Sequence, residues 1–201
     1  MATMPRAVTF FDGQNLYRSV KAAFGYTYPN YDPVKLSQFV CSKQSWQLDS
    51  VHFYTGVPTQ TDDPFWNKFW TNKLANLGRQ KVVVYKRYLA NREKVVETPD
   101  GEITVPYFVE KGIDVRIAID IIRLAIKGAY DVAVIFSQDQ DLSEVATEIR
   151  NISKESKIQI IVASVFPENN SKSYNRGIDK TKWITLAKSE YDMCIDPIDY
   201  R

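Results

Sequence analysis

The sequence predicts an α/β protein: a mostly parallel sheet covered by helices on both faces, with a β-hairpin inserted near the middle of the chain. Three observations carry this reading. Short apolar runs rich in β-branched and aromatic residues alternate with longer segments of helical period, the rhythm of βαβ units. Ile113, Ile117, Ile121 and Leu124 recur at three- and four-residue steps, one apolar helix stripe. Thr98-Pro-Asp-Gly101, flanked by Lys94-Val-Val-Glu97 and Glu102-Ile-Thr-Val105, has the turn chemistry of a hairpin.

Strands are expected at residues 8–11, 51–55, 82–85, 132–136 and 158–162, each four or five residues long, as buried parallel strands are. Helices are expected at 15–24, 33–42, 65–77, 115–127 and 142–153. The hairpin insertion covers about 92–108, and a C-terminal extension covers about 167–201. Within that extension the polar run 169–175 reads as a loop and 184–195 as a last edge strand. The 201 residues fit one domain, 1–201, since domains run ~100–200 residues.

Composition excludes several classes. Lys+Arg 26 against Asp+Glu 24 leaves +2, too little to mark a nucleic-acid binder unless the cations gather locally. The single histidine, His52, excludes chemistry that needs two. Cys41 and Cys194 have no C-x-x-C partner, so they read as buried thiols rather than zinc ligands. Apolar runs such as 132–136 fall far short of the ~20 residues of a membrane helix, so no membrane partner is expected. The first residues run into a strand without a signal-peptide pattern, and a cytoplasmic location is expected.

In an open parallel sheet, ligands bind beyond the carboxyl ends of the strands. There the first strand runs into Asp12-Gly-Gln-Asn15 and the fourth into Ser137-Gln-Asp139-Gln-Asp141, while Lys111-Gly-Ile-Asp114 precedes the helix that carries Asp120. Taken singly, each has a local explanation. Asp12 could hold a turn, Asn15 cap a helix, Asp141 begin a capping box with Glu144, and Asp114 sit in a first turn favoured by the helix dipole. Asp114 and Asp120 are separated by about 600° of rotation and cannot share one narrow face. Together, carboxylates at one edge repel unless a cation sits among them. Oxygen-only ligands select hard cations, Mg²⁺ or Mn²⁺, suited to phosphodiester cleavage.

These three motifs, in this order and spacing, resemble the NYN domain of the PIN-like nuclease superfamily, most closely its LabA-type bacterial branch, over roughly residues 7–165. The resemblance implies a Rossmann-like, PIN-like three-layer αβα sandwich and metal-dependent endonucleolytic cleavage of single-stranded or loop RNA. It implies Asp12, Asp114, Asp139 and Asp141 as metal ligands, with Asp120 in reserve, and Asn15 orienting a phosphate or water. The chain departs from the family's Gly-Asp-x-Asp-Phe at Gln138 and Leu142.

For RNA contact, the stretch 79–94 interleaves Lys86, Arg87 and Arg92 with Tyr88, and Lys111 lies at the acidic edge. Cations for phosphate and rings for bases suit a single strand; a charge-protected edge strand is the structural alternative. Phe65, Trp66, Phe69 and Trp70 form a stripe expected to pack rather than to serve as a base platform, or, if exposed, to make a protein–protein surface such as a homodimer's. The competing function is a non-catalytic RNA-binding or protein-interaction module. An aspartate-nucleophile phosphohydrolase is disfavoured, since Asp12-Gly-Gln14 lacks the second acid.

Overall fold

A computed structural model describes residues 3–99, 101–169 and 175–201, with Pro106 described in its backbone only. The main sheet holds β1 (Arg6–Asp12), β2 (Gln47–Val57), β3 (Val83–Tyr88), β6 (Val132–Phe136), β7 (Ile161–Pro167) and β8 (Lys182–Leu186). Their order is β3-β2-β1-β6-β7-β8, and every neighbouring pair is parallel. The chain steps outward from β1 to β3, then returns to the other side of β1. The gap between the ends of β1 and β6 is therefore the topological switch point.

Helices α1 (Gly13–Phe24), α2 (Pro33–Lys43) and α3 (Pro64–Arg79) share one core with Phe11, Phe53, Val134 and Phe136. Helices α4 (Ile113–Ile126) and α5 (Ser143–Ser156) share the other with Phe10, Tyr54 and Ile135. Adjacent residues such as Phe10 and Phe11 enter opposite cores because strand side chains alternate. The expected stripe is buried at Ile113, Ile117 and Ile121 and half-buried at Leu124.

The hairpin is β4 (Ala90–Thr98) and β5 (Gly101–Val109), antiparallel with Thr98 opposite Gly101, and it forms a two-stranded sheet of its own. Asp100 of its turn and 170–174 of the expected loop lie outside the described residues. Two expected strands are displaced. Instead of 158–162, the strand is β7: α5 runs to Ser156, Lys157 ends it at φ 56, and Ile158 is exposed. Instead of 184–195, the edge strand β8 stops at Leu186 and the chain turns into α6 (Lys188–Asp192), whose Tyr191 fills the first core. Cys41 and Cys194 are free and buried.

Candidate active site

Strand β1 delivers Asp12 to the switch point, where it is buried. Its Oδ1 accepts the Asn15 N–H at 3.0 Å and caps α1, and its Oδ2 accepts from the Ser137 hydroxyl at 3.4 Å. Asn15 in turn accepts the Gln138 N–H at 2.9 Å through Oδ1. The loops after β1 and β6 are thus laced together by side chains that also stop each strand. Ser137 Oγ accepts the Asp139 N–H at 3.1 Å, and Asp139 caps the short turn Gln140–Leu142 through the Asp141 N–H.

A cavity of about 540 Å³ opens at this edge, lined by Asp12, Asp114 and Asp139 together with Glu110, Arg18 and Lys111. Burial pushes the Asp12 carboxyl up to about 6, and the charge of Asp139 adds to the shift. Glu110 is pushed up to about 7, first by burial and then by the charges of Asp12 and Asp114. Its Oε2 accepts the Gly56 N–H. Arg18 relieves both acids in part.

Two sequence-derived acids lie elsewhere. Asp141 is exposed and does not line the cavity. Asp120, on α4, is buried against β2: it accepts from Tyr54 Oη at 3.0 Å and from Arg116 Nε of its own helix at 2.8 Å. Arg123 Nη2 stands 3.2 Å from its Oδ1 without the alignment of a hydrogen bond, so that oxygen is compensated by charge alone. Asp120 is thus engaged within the protein, about 120° around the helix from Asp114, so the two do not share a narrow face.

Of the expected RNA contacts, Lys111 borders the cavity. Arg87 Nη1 donates to the Lys111 carbonyl at 3.3 Å, beneath Gly112, where φ is +69 and an added Cβ would sit 2.6 Å from that nitrogen. Lys86 lies over the exposed Tyr88 ring at the end of β3, and Arg92 is exposed on the hairpin. In the aromatic stripe, Phe69 and Trp70 are core, Trp66 is partly buried against it, and Phe65 alone is exposed. That is the packing alternative.

Sequence reasoning missed Glu110 and Arg18. Glu110 directly precedes the Lys111-Gly112-x-Asp114 motif, and Arg18 is one turn beyond Asn15; both signals were local.

An open α/β sheet with carboxylates gathered at its switch point fits the fold that the resemblance to PIN-like nucleases implied. The NYN domain model matches residues 6–181, and the chain belongs to that family. A crystal structure of VPA0982, a protein of unknown function from Vibrio parahaemolyticus, is 18% identical and aligns at a TM-score of 0.54, covering 94% of this chain and 96% of that one. It shows a shared fold. MurG of Acinetobacter baumannii aligns at only 0.33, with 12% identity over 90% of this chain and 46% of that one, too low for any inference. No curated protein matches the chain. Among the described residues, no helix is long and apolar enough to cross a membrane.

The family implies a divalent cation, and the cavity fits one. Its acidic donors are oxygen only, and burial, reinforced by the neighbouring carboxylates, holds Asp12 and Glu110 above their ordinary range, which a cation among them would offset. Among the described residues, no three His, Cys, Asp or Glu side chains converge on one point. The acids ring a cavity instead, which suits an ion that keeps several of its waters.

Proposed function

We propose that the protein is a metal-dependent endoribonuclease that cuts single-stranded or loop RNA, with Mg²⁺ or Mn²⁺ held by Asp12, Asp114 and Asp139. The observation that carries this reading is the meeting of these acids with Glu110, Arg18 and Lys111 around one cavity at the switch point. Arg18 and Lys111 draw the phosphodiester toward the acids, which alone would repel it. Asn15 and Ser137 hold the two acid-bearing loops in register. The cation, when bound, activates water and stabilises charge on the leaving oxygen. Asp141 and Asp120 have no direct part in this scheme.

The test is cleavage of labelled RNA by wild type and Asp139→Asn with Mn²⁺, Mg²⁺ or EDTA. Metal-dependent cleavage that the substitution removes, in a protein that still folds, is expected; full activity of Asp139→Asn sinks the assignment. The acids' failure to converge on one point favours a second reading, a non-catalytic RNA-binding module. Its mark would be RNA binding unchanged in EDTA without cleavage under either metal.

A further inference from the structure

Beside the acidic cavity lies a second one of about 430 Å³, bounded by α1, the start of α3 and the hairpin. We infer that it is a nucleobase subsite, taking one unpaired base of an RNA strand whose neighbouring phosphate lies among the acids. The inference rests on the nuclease reading above and adds how the strand is gripped.

The size is inside the ~300–1,000 Å³ of small-molecule sites. Its aromatic lining is Tyr17, Trp66, Trp70 and Phe108; Trp70 belongs to the core, and Tyr17 and Trp66 are held in place without a ligand. Tyr17 Oη donates to the Thr27 carbonyl at 2.6 Å. The Trp66 ring packs edge-on against Phe65 and Phe69, with centroids 5.4 and 5.1 Å away. Phe108, 40% exposed, is open to an incoming ring.

Continuity with the acidic cavity selects the occupant. Phe108 lines both cavities. Helix α1 serves both as well: Gln14, Tyr17 and Lys21 share one face at helical spacing and line the aromatic cavity, while Arg18 lines the acidic one. Exposed cations thus border both cavities, Lys21 the aromatic one and Arg18 and Lys111 the acidic one, and the combination of cations and rings suits a single strand bound through phosphates and stacked bases. Asp63, half-buried in the wall, is unfavourable to a phosphate and suits the amino edge of a base.

The test is equilibrium binding, by fluorescence anisotropy in EDTA, of a short single-stranded oligoribonucleotide and of a series made abasic at each position in turn. With wild type, one abasic position is expected to weaken binding by about 5- to 150-fold, the loss of one stacked base. Phe108→Ala should erase that difference. Because Phe108 also borders the acids, Tyr17→Ala, which alters only the aromatic cavity, should do the same; its melting temperature reports whether it folds. The subsite is overturned if every abasic oligomer binds wild type like the intact one, or if no single strand binds at all. Base discrimination without metal-dependent cleavage would remove the nuclease reading and keep the subsite. Cleavage without discrimination would do the reverse.

Discussion

Glu110 Oε2 accepts the backbone N–H of Gly56 at 2.5 Å, tying the segment that leaves the hairpin to the carboxyl end of β2. The contact places a carboxylate at the cavity and brings a strand end against it. A Cβ on residue 56 would sit 2.6 Å from Glu110 Oε2 and 2.4 Å from Leu89 Cδ2. Gly56→Ala should therefore destabilise the fold by about 1–3 kcal/mol, the usual cost of overpacking. Urea denaturation measures it, and an unchanged midpoint would show that the hairpin base yields freely.

Glu110→Gln keeps an oxygen for the Gly56 N–H and removes a charge from the cavity. The expected result is a melting temperature close to wild type with Mn²⁺ affinity about 10- to 100-fold weaker, as when a supporting group of a metal site is lost. Calorimetric titration reads both proteins. In wild type the affinity should also fall as pH drops through 7 and 6, because protons then compete for Glu110 and Asp12. A flat pH profile would separate these acids from the metal.

Asp12 reports its burial through stability. Its folded pKa, about 6 against an ordinary 3.8, means that the folded protein binds the extra proton. The stabilisation is fully present below about pH 4 and is lost as pH rises through 6. Asp12→Asn removes that dependence. In EDTA the variant should gain on wild type by up to about 3 kcal/mol between pH 4 and 8. Denaturant melts at both pH values test it, and a constant difference would contradict the burial argument.

Asp120 makes the contrast with Asp139. Asp120→Asn weakens the pairing with Arg116 and Arg123 beneath Tyr54, at an expected cost of about 1–3 kcal/mol. Cleavage by the folded variant should match wild type, since this carboxylate is turned away from the cavity. Loss of activity with intact stability would return Asp120 to the site.

Strand and helix order were legible because buried parallel strands and amphipathic helices write their periods into short windows. β6 could be read directly from residues 132–136, all of them buried. β7 could not be placed by the same rule: the apolar run begins at Ile158, but only Lys157's left-handed turn and the pairing of Ile161 with Val132 decide where the strand starts. The aromatic run on α3 was legible as a stripe, while its division into core rings and one exposed ring depends on what α3 packs against.

By itself the sequence determined the α/β class, the hairpin, the family motifs and the candidate acids Asp12, Asp114 and Asp139, because each is a matter of residue type and local spacing. Only the tertiary structure decided that Glu110 and Arg18 join those acids, that Asp120 is spent on Arg116 and Tyr54, and that an aromatic cavity adjoins the acidic one. Those outcomes depend on which strand ends lie side by side and how far each carboxylate is taken from water. Both are set by contacts between residues distant in the chain.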